Sequence, residues 1–160
     1  LESITDGFMR FDRDWRVVYA NAESERICGR PRAEMIGRSH WELFPATLGT
    51  PLEGEYRRAV AERVTVEFEN FYQPWGRWFL IKGFPTADGG LAIYFADVTA
   101  RKRAEERERA ERERTQLVAD AVPALISYID ADARYRLNNR AYERWFGHPR
   151  GELLGRHMRE

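Results

Sequence analysis

The chain has 160 residues, 43% of them hydrophobic and 32% charged, and its 26 basic side chains equal its 26 acidic ones. This length fits one full domain with a linker or part of a second, and it excludes a large multidomain enzyme. Zero net charge argues against a nucleic-acid partner, the single Cys28 excludes an internal disulfide and a cysteine-rich metal site, and every apolar run is far shorter than the roughly 18–20 residues that span a bilayer.

The first part of the chain predicts two strands followed by short helices. Residues 8–11 are a short apolar run, and residues 15–20 are rich in strand-forming side chains, with turn-forming aspartates between them. Asn21 has the side chain of a helix N-cap, and the helix that follows it is expected to end at Gly29. Two further short helices are predicted before the next long element.

The middle of the chain predicts one longer helix and three antiparallel strands. Residues 52–63 carry apolar side chains at helical spacing. Apolar and polar residues then alternate over 64–69, which indicates a strand with one buried face. The strands 77–84 and 91–95 are joined by a glycine-containing hairpin turn. This order predicts an α+β fold, a five-stranded antiparallel sheet with short helices on one face.

The strand at 77–84 differs from its neighbours because both of its faces are apolar. We assign Phe79 and Ile81 to the inner core. Trp78, Leu80 and Phe84 are assigned to an outer face, which a helix or a partner subunit covers. These three outer residues are therefore candidates for a dimer interface.

A long charged helix is predicted after the sheet. Residues 101–114 read RKRAEERERAERER, which contains strong helix formers and pairs such as Glu108 with Arg112. Thr99 is a plausible N-cap, and Pro123 ends the segment.

Apolar contact between two copies of this helix is expected to be weak. Ala110, Leu117 and Ala121 belong to a seam of alternating three- and four-residue spacing, in which only Leu117 is large. The segment is thus either a weak coiled coil held by folded domains at its ends or a single solvated helix that separates two domains.

The segments on either side of this helix repeat each other at one constant offset without gaps. Adding 118 to a residue number in 1–42 leads to its counterpart in 119–160. Identical side chains stand at 13 of these pairs, which begin with Asp12/Asp130, Asp14/Asp132, Arg16/Arg134, Asn21/Asn139, Glu25/Glu143, Arg26/Arg144 and Gly29/Gly147, and continue with Pro31/Pro149, Arg32/Arg150, Glu34/Glu152, Gly37/Gly155, Arg38/Arg156 and Glu42/Glu160.

These segments resemble the PAS domains of bacterial signalling proteins. The resemblance is carried by YANAESERICGRPRAEMIGR, by GRWFLIKGFPTADGGLAIYFADVTARKRAE and by the helix after them. Its most specific part is the ending that contains Asp97, Thr99 and Arg101. In PAS domains the first two of these residues tie the last strand to a signalling helix, and the arginine lies at the junction, so the resemblance assigns signal relay to all three. A local interpretation, that the aspartate and threonine cap a helix, is compatible with this role.

The resemblance implies a PAS domain over 1–98, a helical linker over 99–122 and the start of a second PAS domain over 123–160. Since the chain begins with Leu1, we expect it to be part of a longer protein. The second segment lacks the strands that would cover its apolar residues, so we predict that 124–160 is poorly ordered or paired with another chain.

The function implied is that of a sensory and dimerisation module. Such modules precede histidine kinase, diguanylate cyclase or other output domains, so we expect a homodimer with an output domain in the same longer chain. The alternative is a ligand-free dimerisation or spacer module. The single Cys28 and the resemblance together place the protein in the cytoplasm, and membrane attachment of the longer protein stays open.

PAS domains enclose a pocket between the sheet and the helices. Either aromatic and aliphatic side chains simply fill this interior, or they bind a small apolar ligand. The expected lining consists of Trp41, Phe44, Tyr56, Phe68, Phe79, Ile81, Ile93 and Phe95.

The cofactor stays undetermined, and two types are disfavoured. Flavin-adduct members of the family need an Asn-Cys-Arg type of motif, whereas Cys28 lies between Ile27 and Gly29. Haem-binding members use a histidine on the long central helix, and residues 52–63 contain none. We expect His40 to be a capping or surface residue. Non-covalent flavin and the absence of any cofactor both stay open.

No catalytic residues are predicted, and neither is a metal site. Catalysis needs a nucleophile beside a base or a poised carboxylate pair. No motif brings Cys28 or Ser39 together with His40, and Glu67 and Glu69 alternate with apolar residues, which makes them solvent-facing.

Overall fold

The structure, a computed structural model, describes residues 6–147 and 149–159. Residues 1–5, His148 and Glu160 lie outside the described residues, and so does the last identical pair of the repeat, Glu42/Glu160, at its second member. The chain divides into two compact units, Leu1–Lys102 and Arg103–Glu160. The division lies four residues inside the long helix, so the helix begins in one unit and continues through the other.

The elements of the first unit follow the predicted order, with 3₁₀ turns at Pro45–Thr47 and Gln73–Trp75. They are β1 (Gly7–Phe11), β2 (Val17–Ala20), α1 (Ala22–Cys28), α2 (Arg32–Met35), α3 (His40–Leu43), α4 (Pro51–Glu62), β3 (Val66–Tyr72), β4 (Arg77–Pro85) and β5 (Leu91–Asp97), after which α5 (Thr99–Ala121) begins.

The five strands form one antiparallel sheet in the order β2-β1-β5-β4-β3. The last strand therefore lies in the middle of the sheet, between the first strand and β4. This arrangement confirms the predicted α+β fold. Because α5 follows directly from the central strand, the start of that helix is close to β4 and β3.

The hydrophobic core lies between the inner face of the sheet and the helices. Along β4 and β5, buried positions alternate with more exposed ones. The buried positions include Phe79, Ile81, Ile93 and Phe95. From the helix side, Tyr56 of α4 packs among them with 1% of its surface exposed. Successive side chains of a strand point to opposite faces, so the period-two pattern in the sequence determines which face of the sheet is buried.

Asn21 joins α1 to the sheet as well as capping it. Its side-chain Oδ1 accepts hydrogen bonds from the backbone N–H groups of Ser24 and Phe8, both at 2.9 Å, and its Nδ2 donates to the carbonyl of Asp6 at 3.0 Å. The predicted cap is confirmed. The predicted strand 15–20 is shorter in the structure, because Trp15 has a φ of 62° and an extended strand cannot begin before it.

The second unit repeats the local structure of the first. Its strands are β6 (Ser127–Ile129) and β7 (Tyr135–Asn138), followed by α6 (Arg140–Phe146) and α7 (Arg150–Leu153). The last three of these elements lie 118 residues after β2, α1 and α2.

The hydrogen bonds repeat with the elements. Asp12 accepts from the backbone N–H of Arg16 at 2.9 Å, and Asp130 accepts from that of Arg134 at 3.0 Å. Asn139 accepts from the N–H of Ile126, the counterpart of Phe8. Identical side chains at the constant offset therefore form the same turns and the same strand-to-helix contact.

Large apolar side chains are exposed in this second unit. Trp145 is 76% exposed and Tyr128 is 62% exposed, and Phe146, Leu154 and Met158 are also exposed. In the first unit, the counterparts of Trp145 and Met158 are Ile27 and His40, and both are buried. Among the described residues, no helix is both long and apolar enough to cross a membrane.

Candidate functional site

A small cavity lies inside the first unit, between the sheet and the helices. Its volume is about 60 Å³. Six of the eight residues expected to line a pocket do line it, namely Phe44, Tyr56, Phe79, Ile81, Ile93 and Phe95. A flavin needs a far larger space than this, since pockets for drug-sized ligands occupy roughly 300–1,000 Å³. The interior as it stands therefore does not fit that cofactor.

The other two expected residues lie elsewhere. Trp41 packs on the half-buried Trp15, with ring centroids 5.2 Å apart, and the Arg57 guanidinium lies 5.4 Å from the centroid of the Trp41 ring. Phe68 is only partly buried and meets Tyr56 edge to face at 6.2 Å. Both belong to the packing around the cavity and not to its wall.

The expectation that His40 is a capping or surface residue is wrong. Ser39 caps α3, and the His40 side chain faces inward with 5% of the residue exposed. Its ring lies 5.0 Å from that of Phe11 and 5.5 Å from that of Tyr56. Burial lowers the pKa of His40 to about 3, so the imidazole is neutral near pH 7.

Neither ring nitrogen of His40 has a hydrogen-bond partner among the described protein atoms. Buried polar side chains are nearly always partnered, so an unpartnered pair of nitrogens on a cavity wall is unusual. One of these nitrogens donates and the other accepts when the ring is neutral. The cavity therefore offers a donor and an acceptor on the same side chain.

Cys28 also lines the cavity, but as an inert thiol. Burial raises the pKa of Cys28 to about 12, which leaves the nucleophilic thiolate essentially absent at neutral pH. Burial likewise raises the pKa of the Tyr56 hydroxyl. Both groups are uncharged, like His40. Among the described residues, no three His, Cys, Asp or Glu side chains are grouped as metal ligands.

Eight further residues line the cavity that were not predicted from the sequence. These are Met9, Cys28, His40, Thr47, Leu52, Asn70, Tyr72 and Trp75. The inward alternation of β3 could have identified Asn70 and Tyr72, since both share the face of Val66. No sequence signal distinguishes His40, because its burial depends on the packing of Phe11, Phe44 and Tyr56 around it.

A second candidate site is the junction between the sheet and α5. The antiparallel ladder of β4 and β5 continues one step beyond Asp97, because the Val98 N–H donates to the Trp78 carbonyl at 2.9 Å. The Trp78 backbone N–H donates in turn to Oγ1 of Thr99, also at 2.9 Å. Asp97 accepts from the Thr99 N–H at 2.9 Å, so the aspartate caps the helix and the threonine is its first residue, not its N-cap.

The junction also includes a residue of β3, Glu69, whose side chain was predicted to face solvent. Glu69 lies on the outer face as expected, but its carboxylate binds both helix cations: Arg101 Nη2 is 2.5 Å from Oε1, and the Lys102 ammonium pairs with Oε2. Lys102, followed by Arg101, lowers the pKa of Glu69 below its ordinary value. The Lys102 ammonium also lies 5.2 Å from the centroid of the Trp78 ring.

The proposed dimer surfaces are accessible in the structure. On the outer face of β4, Phe84 is 38% exposed, and Trp78 and Leu80 are half-buried. On α5, Leu117 is 70% exposed, and Ala110 and Ala121 are exposed. Glu108 pairs with Arg112 as predicted, at 2.5 Å.

Comparisons with known proteins agree with this architecture. The sequence matches the family model described as PAS fold over residues 1–103 and again over 119–160. No curated protein matches the sequence significantly.

Solved structures with this fold come from several proteins. A domain of an HTR-like protein from Haloarcula marismortui has a TM-score of 0.52 at 13% identity, covering 60% of this chain and 100% of that one. The photoactive yellow protein domain of the sensor histidine kinase Ppr from Rhodospirillum centenum has a TM-score of 0.50 at 18% identity, with 59% and 87% covered. An RNA-binding light-oxygen-voltage receptor has a TM-score of 0.50 at 27% identity, with 71% and 36% covered. At 13% and 18% identity, the first two of these similarities concern the fold alone.

Proposed function

Because the chain belongs to the PAS fold family, we propose that it is a sensory and dimerisation module of a bacterial signal-transduction protein. The module itself is not catalytic. A change in its cavity or at its interface passes through α5 to an output domain of the histidine kinase or diguanylate cyclase type in the same longer chain. We place the protein in the cytoplasm, where a single cysteine stays reduced.

The observation that carries this proposal is the double attachment of the first turn of α5 to the sheet. The Thr99 hydroxyl holds the turn to β4 by accepting a hydrogen bond from the Trp78 backbone N–H, and Glu69 holds Arg101 and Lys102 to β3. These two strands also supply the inner wall of the cavity through Asn70 and Phe79. A strand displacement caused by ligand binding therefore reaches the helix through side chains one residue away.

The helix is suited to respond to such a displacement. Its exposed seam of Ala110, Leu117 and Ala121 offers little apolar contact, so no single helix register is strongly preferred between two copies. Elements with several arrangements of similar free energy convert a small shift into a change of population. The weakness of the seam is thus part of the mechanism.

The matched pair Glu69→Gln and Glu67→Gln tests the relay. Both side chains lie on the outer face of β3, but Glu67 pairs with Lys82 of the sheet at 3.1 Å, whereas Glu69 binds the helix. We expect Glu69→Gln to speed amide hydrogen exchange over the first two turns of α5 and Glu67→Gln to leave it unchanged. Equal exchange in the two variants would overturn the proposed attachment.

Dimerisation is tested separately by sedimentation of the full chain. Trp78→Ala removes the largest outer aromatic of β4, and Leu117→Arg places a charge in the helix seam. We expect the wild type to be a dimer and each substitution to shift the equilibrium toward monomer. A dimer that withstands both substitutions would mean that the proposed interfaces are wrong, and a monomeric wild type would refute the dimerisation part of the proposal.

A ligand-free dimerisation or spacer module is the second candidate function. The small cavity, about 60 Å³, favours it because most of the interior is already filled by side chains. Native mass spectrometry of the full chain, compared with its denatured mass, distinguishes the candidates. A bound mass supports the sensor, a bare dimer supports the ligand-free dimerisation module, and a bare monomer supports the spacer.

A further inference from the structure

The His40 side chain is a feature of the cavity that ordinary core packing does not explain. It is 95% buried, counting from its 5% exposure, and neither ring nitrogen has a protein partner among the described residues. An apolar side chain of similar size would fill the same place without leaving two hydrogen-bonding groups unmatched. Asn70 of β3, which also lines the cavity, adds a primary amide to the same space.

We propose that the cavity binds a small neutral molecule that both donates and accepts hydrogen bonds, held between His40 of α3 and Asn70 of β3. This names the ligand class for the sensory cavity, and its signalling consequence rests on the function proposed above. The ligand belongs to the chemistry of simple amides and alcohols.

The size of the ligand follows from the volume. About 60 Å³ is several times the roughly 10–15 Å³ that one water molecule requires and well below the volume of a drug-sized pocket. A molecule of only a few non-hydrogen atoms therefore fits without displacing the surrounding rings.

The neutrality of the ligand follows from the groups that face it. His40, Cys28 and Tyr56 are all uncharged near pH 7, and the remaining lining is mainly aromatic and aliphatic. A carboxylate or an ammonium ion would lose its hydration there without meeting an opposite charge. A wholly apolar molecule, in turn, would leave the two nitrogens of His40 unmatched.

Contact with Asn70 would connect the ligand to the helix junction. Asn70 faces inward on β3, and the preceding residue, Glu69, binds Arg101 and Lys102 from the outer face. A ligand that pulls or releases Asn70 therefore acts on the strand segment that holds the helix.

Acetamide and xenon are the probes for the test, applied to the full chain. Acetamide is small, neutral and able to donate and accept hydrogen bonds, whereas xenon enters dry apolar cavities. We measure the ¹⁵N shifts of the His40 ring and the methyl shifts of Ile81 and Ile93, which line the cavity. For a ligand of this size we expect saturable acetamide binding with a Kd on the order of 1 mM.

Two variants give the test its contrast. His40→Phe keeps an aromatic ring but removes both nitrogens, so its isoleucine methyl groups should respond to xenon and no longer to acetamide. His157→Phe, in the second unit, should respond to acetamide like the wild type. The wild-type titration alone decides the proposal if His40→Phe does not fold.

Absence of a saturable His40 shift would overturn the proposal and leave the cavity merely hydrated. Tighter binding of xenon than of acetamide by the wild type would also overturn it, because the cavity would then be dry and apolar. The Glu69→Gln comparison uses no ligand, so failure of acetamide binding and failure of the relay are separate results.

Discussion

The hydrogen bond from the Trp78 backbone N–H to the Thr99 hydroxyl links β4 directly to α5, and Thr99→Val removes it while keeping the side-chain shape. Thr99 is 9% exposed, and its Oγ1 lies 2.9 Å from the Trp78 nitrogen. Trp78 stands one step beyond the last residue pair of the β4–β5 ladder, Phe79 with Asp97. The Trp78 carbonyl accepts from the Val98 N–H, while its own backbone N–H donates to the threonine hydroxyl, which takes the place of a strand carbonyl there.

The magnitude follows from leaving this N–H unpaired in a partly buried place. Loss of one hydrogen-bond partner there costs about 1–3 kcal/mol, which corresponds to a roughly 5- to 150-fold increase in the population of the open junction. The Lys102 N–H, which donates to the Val98 carbonyl at 2.9 Å in the first turn, reports on the same opening.

Native-state hydrogen exchange measured by NMR is the appropriate assay, because it reads local opening residue by residue. The control is Thr115→Val, the same substitution at an exposed site on the same helix. We expect faster exchange at Trp78 and Lys102 in Thr99→Val only. If both amides exchange at the same rate in the two variants, the threonine hydroxyl does not anchor the helix and the reasoning fails.

Three further predictions concern other parts of the chain. The folded-state pKa of His40, about 3, lies below its ordinary value of 6.5, so the unfolded chain takes up a proton first on acidification. Urea titrations should therefore show that the free energy of unfolding falls by about 2 kcal/mol between about pH 7.5 and pH 5, and that His40→Phe abolishes this fall. An equal fall in the variant would contradict the burial of His40. Asn21→Ala should lower the free energy of unfolding by about 2–4 kcal/mol, since it removes the helix cap and leaves the buried N–H of Phe8 unpaired, and a loss under about 1 kcal/mol would mean that water replaces the side chain. Brief chymotrypsin treatment should cut at the exposed Trp145 and Tyr128 before any site in the first unit, and full protection of 124–160 in a monomer would contradict the prediction that this segment is poorly ordered or paired with another chain.

Much of the fold could be predicted because its signals are local. The alternation along β3, β4 and β5 determines which side chains face inward, and the predicted inner position of Phe79 and Ile81 is confirmed. The cap at Asn21 and the left-handed glycine at Gly29, with a φ of 64°, mark the ends of α1 in the same way. The 118-residue repeat needs only identical side chains at a constant offset, and identical turns follow from it.

The parts that the sequence did not reveal all depend on contacts between distant segments. In the sequence, His40 follows a helix cap and was therefore expected at the surface. Only the packing of Phe11, Phe44 and Tyr56 around it makes it a buried, neutral ring. Apolar and polar residues alternate along β3, and this pattern predicts that Glu69 faces solvent. Its partners lie 32 and 33 residues away on a helix, a separation that no local pattern encodes.

The sequence by itself therefore determined the elements, their faces, the repeat and the family, because periodicity, caps and turn chemistry act over a few residues. Tertiary structure alone decided the size of the cavity and the partners of His40 and Glu69. The volume left between packed side chains is a small difference between large filled volumes, and it depends on every neighbour at once. The ligand class and the attachment of the helix belong to that second kind of information.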